Sequence, residues 1–489
     1  MSLALLIACS GSTTDETDKD ADAADADADA DSDADSDTDA DADADSDADT
    51  DTGTTQSVTD VSARLHPNMG SLFYVSWTQS EPGDAHVEVS FDPGVWESTP
   101  THAWDAGTNE QIVVGVPFGT MAEWRLVVDG ADPIDGDPIT TDPVPAGLPL
   151  GTVTVSDPGA WDADHKYLLT SINADAGGWR SGHYWTFIVD RDGRPVWAVT
   201  NGRNLWTLFA QVSVTGDYLL WDESGVNNFP PVDGTKVHYA WLDEEFDVRI
   251  APGLHHAFVQ LPDGTLAWGS QSARVGREEL MVMGPTETEP TVLWTCRDGL
   301  PGIANDQYCI SNGLFYNAAT DTFLYSHYTN ETVVEIDRAT GQTLWYAGDT
   351  GGGYAFDPPD SKYNWQHGIS YTDAGTLLVS SENRVPGGSG QSTFLLEYEV
   401  DHKNRVLHGI WANDAHAHAD TNGQAWRLAN GHTLHLVGSA SVVREVDGAG
   451  DDVWRMEWGG GGVCSNPDSC LLIGHGQFIG DLYALTKPL

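Results

Sequence analysis

The sequence predicts an all-β protein, a six-bladed β-propeller preceded by a β-sandwich. Three observations carry this expectation. The 489 residues include 19 Trp and 52 Gly with a hydrophobic fraction of 40%, a balance that favours aromatic-rich β structure over helices. Gly, Asp and Pro interrupt short apolar runs throughout, and no helical periodicity persists beyond a few turns. From residue 165 onward one unit recurs at intervals of roughly 45–65 residues, the period of propeller blades.

The chain opens with Met1-Ser-Leu-Ala-Leu-Leu-Ile-Ala-Cys9, an apolar run too short to span a bilayer. Leu6-Ile7-Ala8-Cys9 resembles the bacterial lipobox. The resemblance implies a signal segment over residues 1–9 and lipidation of Cys9, and Ser10 after it would permit sorting to an outer membrane. Residues 10–57 read as an acidic linker. Within them, 15–52 hold 19 acids against Lys19 alone, or −18 of the formal −53. Such a tract has nothing apolar to bury and its charges repel, so it is expected to be an extended spacer. The remainder still carries −35, which argues against a nucleic-acid partner. Four further cysteines, Cys296, Cys309, Cys464 and Cys470, allow three pairings. The local ones, 296–309 and 464–470, close short loops and are the ones expected in an exported domain; neither spacing is the CxxC of a zinc site.

Residues 58–150 contain short alternating runs: Leu72-Phe-Tyr-Val-Ser-Trp77, Ala85-His-Val-Glu-Val-Ser90, Gln111-Ile-Val-Val114 and Trp124-Arg-Leu-Val-Val128. Their turn-separated spacing resembles an immunoglobulin or fibronectin III-like sandwich. The proline-rich Asp142–Pro149 stretch marks its boundary.

The propeller is expected over 165–489. Each unit ends as an apolar strand, an acidic turn and a tryptophan: Phe187 to Trp197, Val333 to Trp345 and Val443 to Trp454. Met281 to Trp294 and Leu395 to Trp411 are looser copies, and Tyr239 to Ile250 lacks the final Trp. Every unit from the second onward begins with a strand leading to a turn at Gly216, Gly264, Asp321, Gly375 or Gly431. The first unit starts abruptly at Tyr167, and the chain ends with one strand near Gly476–Leu485. That last strand is expected to complete the first blade and close the ring, removing its exposed edges.

First strands of blades line the axial channel. The residues eight or nine before each turn are His255/His256, Asn312/Gly313, Gln366/His367 and Asn422/Gly423. Polar groups thus recur where a packed sheet would take valine, and His256 and His367 both lie eight residues before a Gly-Thr-Leu turn. Two imidazoles at equivalent positions of one repeat predict a polar site on the axis. Arg384 follows the outgoing strand of the His367 blade and is expected to turn toward the same opening.

His255-His-Ala-Phe-Val-Gln-Leu-Pro-Asp-Gly264, Trp365-Gln-His-Gly-Ile-Ser370 with Glu382-Asn-Arg384, and Asn312-Gly-Leu-Phe-Tyr316 resemble the bacterial arylsulfate sulfotransferase family over residues 58–489. The resemblance implies sulfuryl transfer between phenols without a nucleotide donor or any cofactor, by a ping-pong route through a sulfohistidine. Its partners would be small phenolic sulfate donors and acceptors, with the membrane reached through a lipid anchor only. His255 or His256, with His367, would hold or protonate the group and Arg384 would neutralise it; Asn312, Asn422, Ser441 and His475 are candidate substrate contacts. Loose transition states of this kind place charge on oxygens, so positioned cations and N–H donors do most of the work.

The family's nucleophilic histidine corresponds to Ser441 here, and Ile310 stands where a second family histidine is found. Substitutes are available. Asp414-Ala-His416-Ala-His418-Ala-Asp420 alternates strictly, so an extended strand would put all four polar side chains on one face, suited to catalysis or to a divalent metal. His475 resembles the histidine of the family's terminal motif, though Gly476-Gln477 replace Tyr-Arg. The expectation is an exported, lipid-anchored sulfotransferase of the periplasm or cell surface. Its rivals are a non-catalytic ligand- or glycan-binding propeller and a metal-dependent hydrolase.

Overall fold

The computed structural model describes residues 56–162, 164–173, 183–201, 205–225, 234–271, 278–303, 309–383, 392–459 and 471–489. The leader with Cys9, the 15–52 tract, Arg384, Cys464 and Cys470 lie outside the described residues.

Two antiparallel sheets build the N-terminal part. Phe73–Gln79 lies between Val58–Leu65 and Gly107–Val113 in one; Gly83–Asp92 and Met121–Val128 form the centre of the other. Alternation decides the packing: Phe73, Val75 and Trp77 point inward and meet Ala85, Val87, Val89, Trp124 and Leu126. Each of the larger of these contributes about 1.5–3 kcal/mol by leaving water.

Six sheets follow, each led by an inner strand; in the second, third and fourth every strand runs outward in chain order. The inner strands are Ala210–Val212, Leu254–Gln260, Ser311–Asn317, Ile369–Tyr371 and Gln424–Arg427 for the second to sixth sheets. The first sheet takes its inner strand from the end of the chain: Gln477–Ile479 pairs with Tyr167–Asn173 through Leu168↔Phe478 and its neighbours. All five expected turn residues have positive φ, the four glycines between 79° and 86° and Asp321 at 53°. A β-carbon strains such a backbone, which is why glycine fills four of the five.

Two edges were not foreseen from the sequence. Thr152–Ser156, between the expected sandwich and propeller, pairs with Asp452–Glu457 and becomes the outer strand of the sixth sheet. Ala355–Asp357 adds a parallel edge to the fifth through Val406–Asp414. Inner strands crowd one another at the centre. A β-carbon on Gly313 would lie 2.3 Å from the His367 carbonyl oxygen, and one on Gly368 would lie 2.3 Å from the Gln424 Cα. The Cys296–Cys309 disulfide is formed. Among the described residues, no helix is long and apolar enough to cross a membrane.

Candidate active site on the propeller axis

Successive side chains of a regular strand point to opposite faces. His255 and His256 escape this rule. The pairing of Leu254–Gln260 with Leu266–Gln271 shifts register between Leu254 and Phe258, and His256 sits there at a φ of 62°. This bulge brings both imidazoles to one place, Nδ1 to Nδ1 at 2.5 Å. Bulges of this kind re-aim side chains beside functional sites.

His255 is fully buried and its Nε2 lies 3.0 Å from a Glu278 carboxylate oxygen. Glu278 also accepts hydrogen bonds from the hydroxyls of Ser311 and Tyr325 on the next sheet. An ionised carboxylate only accepts, so His255 Nε2 carries a proton. A neutral His255 then accepts at Nδ1 from His256 Nδ1–H, which leaves the lone pair of His256 on Nε2.

His367 enters from the fifth sheet. Its Nδ1–H donates to the Trp365 carbonyl at 3.0 Å, again placing the lone pair on Nε2, and its ring lies parallel to Tyr328. His475 precedes the closing strand and stacks on Phe209 with ring centroids 3.9 Å apart. Burial, then the fields of His255, His367 and His475, hold His256 well below the usual imidazole pKa. Burial lowers His367 to about 4. Burial and the field of His367 lower His475 to about 3. His256, His367 and His475, from the third, fifth and first sheets, thus lie close enough to feel one another's charge, and burial disfavours that charge on each; His475 is the third member the sequence left unresolved.

The other expected site residues fall elsewhere or are already engaged. Asn312 donates to the Gln366 carbonyl at 2.7 Å and accepts from Ser326, tying the fourth sheet to the fifth. Asn422 reaches the Ile473 carbonyl at 3.5 Å. Ser441 ends a one-turn 3-10 helix with φ 58°, and its hydroxyl donates to the Leu471 carbonyl at 2.6 Å. The stretch from Asp414 to Asp420 requires a correction. It is not an extended strand: His416 has φ 51° and an 84% exposed side chain, whereas His418 is buried against Asp420 at 3.1 Å. The alternation instead buries Ala415, Ala417 and Ala419, so the four polar groups do not share a face. Among the described residues, no cluster of three or more His, Cys, Asp or Glu is placed to hold a metal ion.

Glu278, Ser311 and Tyr325 were not legible in advance, because the partnership spans two sheets and depends on a bulge. A cleft of about 330 Å³ between Phe91, Trp161 and Tyr167 is less suited to chemistry. Its Arg191 and Arg194 are already paired with Glu445 and Asp92.

No protein-family profile matches the chain, and no curated protein does so either. Solved structures are similar at low identity. A protein of unknown function from Bacteroides caccae shares 16% identity over 59% of this chain and 93% of its own, with a TM-score of 0.40. The periplasmic gluconolactonase of Pseudomonas aeruginosa shares 13% over 81% and 99%, with a TM-score of 0.39.

Proposed function

We propose that the axial histidines transfer a sulfuryl group between phenolic compounds without a nucleotide, as in the arylsulfate sulfotransferases that the chain resembles. The observation that supports this best is the clustering of His256, His367 and His475 from three inner strands, where burial disfavours a proton on each. A neutral imidazole with its lone pair on Nε2 is a nucleophile at neutral pH. In the first half-reaction, the His256 Nε2 lone pair forms an N–S bond while the S–O bond to the donor breaks. The electron pair leaves on the donor phenolate, which takes its proton from water. In the second, an acceptor phenol gives its proton to His367 Nε2 and its oxygen takes the sulfuryl group as the N–S bond breaks, its electron pair returning to His256 Nε2; His367 then gives the proton to the hydroxide left by the first half-reaction, which restores both imidazoles. Arg384 would supply local positive charge against the repulsion of a body with net charge −35. The leader and the Cys296–Cys309 disulfide favour an exported, lipid-anchored protein working in an oxidising compartment.

The test is incubation with 4-nitrophenyl sulfate and phenol in the absence of nucleotide. Release of nitrophenolate that requires the acceptor beyond one equivalent is expected, with His256→Ala abolishing the first equivalent. Binding of aryl sulfates without any release would leave a ligand-binding propeller instead.

A further inference from the structure

The His255–His256 pair stands on a carboxylate that nothing in the repeat demands. Glu278 is 2% exposed and lies at the start of Glu278–Met283, where it receives His255 Nε2, the Ser311 hydroxyl and the Tyr325 hydroxyl. Two uncharged donors would satisfy an amide as well as they satisfy a carboxylate. The anion matters to the third, because only an acceptor-only group fixes which nitrogen of His255 is protonated.

We infer that Glu278 is a positioning residue that acts through His255 to hold His256 as the Nδ1–H tautomer with its lone pair at Nε2. The same chain stabilises the positive charge that appears on His256 when Nε2 gains a bond. His255 accepts from the charged ring at Nδ1 and donates to Glu278 at Nε2, so a carboxylate stands two hydrogen bonds from the new cation. The catalytic consequence rests on the sulfuryl-transfer reading; the tautomer does not. The groups facing this chain are His327 and Tyr328 near Glu278, and His367 and His475 beside His256.

Glu278→Gln tests the inference sharply. The glutamine oxygen can still serve Ser311 and Tyr325, but its amide N–H must donate to His255 Nε2. The proton of His255 then moves to Nδ1, His256 accepts at Nδ1, and its own proton shifts to Nε2, removing the lone pair from the axis. Side-chain nitrogen NMR of the histidine-labelled full chain is expected to show His256 as Nδ1–H in the wild type and as Nε2–H in E278Q. The turnover number should fall about 10²- to 10⁴-fold, as when a wrong tautomer is imposed on a catalytic imidazole. KM should be little changed, and Glu278→Asp should recover part of the rate. Ser311→Ala and Tyr325→Phe each remove one uncharged donor and should leave the His256 tautomer as it was.

A wild-type spectrum with His256 protonated at Nε2 overturns the inference, whether or not E278Q folds. So does an E278Q protein that keeps the wild-type tautomers. Absence of sulfuryl transfer by the wild type alongside the expected tautomers would instead overturn the functional reading and leave the relay standing.

Discussion

The rim and the axis of the ring solve the same problem, joining one sheet to the next, by opposite means. At the rim one residue type does it repeatedly. The indole N–H groups of Trp197, Trp294 and Trp454 donate to Leu242, Thr343 and Arg191, each on the following sheet. At the axis the four junctions from the third sheet round to the first differ: Glu278 with Ser311 and Tyr325, Asn312 with the Gln366 carbonyl, Ser370 with the Ala425 carbonyl, and Gln424 with the Gly476 amide. A repeat keeps its residues where each copy meets the same demand and loses them where a site makes the copies unequal. Polar residues at equivalent inner positions therefore mix two populations. The amides are inter-sheet ties, and the imidazoles are the candidates for chemistry.

If rim and axis are separate in this way, damage to the rim should cost stability and spare the site. The largest such effect is expected at the seam between the sixth and first sheets. There Arg191, 4% exposed, pairs at 2.7 Å with the fully buried Glu445 and lies over the rings of Trp454 and Phe478. Glu445→Ala leaves an unpaired buried guanidinium and should lower the unfolding free energy by about 3–5 kcal/mol in denaturant titrations. The tautomer of His256 in the protein that remains folded should not change. A shift of that tautomer would join what the comparison separates.

The converse holds at the axis. His367→Ala should leave the melting temperature nearly unchanged relative to E445A and still permit the first equivalent of nitrophenolate. Return of the sulfuryl group to an acceptor should slow by about 10²-fold, the usual worth of a positioned general base. Equal loss in both half-reactions would mean that His367, not His256, receives the group.

Much of this division could be read from the chain. The tryptophan ends, the five positive-φ turns and the closing strand at Gln477–Ile479 all follow from local pattern, because each is a demand that recurs. The equivalence of His256 and His367 marked a polar position on two inner strands for the same reason. What stayed hidden is set by contacts between distant segments. Thr152–Ser156 has a partner 300 residues away in Asp452–Glu457, and its five residues carry no signal that distinguishes an outer blade strand from a linker. The bulge that turns His255 behind His256 is a register shift, invisible to an alternation that assumes none. The Asp414–Asp420 stretch shows the opposite failure, a perfect alternation that the left-handed His416 breaks.

The smallest expected effects are one histidine's share of a pH dependence and one rim hydrogen bond, and they separate the two regions by the protons they exclude. His256, His367 and His475 at the axis, with His327 and His435 just outside it, are all held below the ordinary imidazole value, chiefly by burial. The unfolded chain binds protons near pH 6.5 that the folded chain refuses. Stability is therefore full above that value and falls as the pH drops toward the folded values, which are about 4 for His367 and about 3 for His475. Each such histidine contributes a slope approaching about 1.4 kcal/mol per pH unit. Asp222 works in the other direction: burial raises it to about 7, so the folded chain keeps a proton that the unfolded chain releases between about pH 4 and 7. Denaturant midpoints between pH 5 and 6.5 should decline toward acid, and His367→Asn should flatten the decline by about one histidine's share. Trp454→Phe, at the rim, should lower the unfolding free energy at every pH by about 1 kcal/mol for its lost hydrogen bond and leave the slope alone. A slope that His367→Asn does not touch would place the excluded protons somewhere other than the axis.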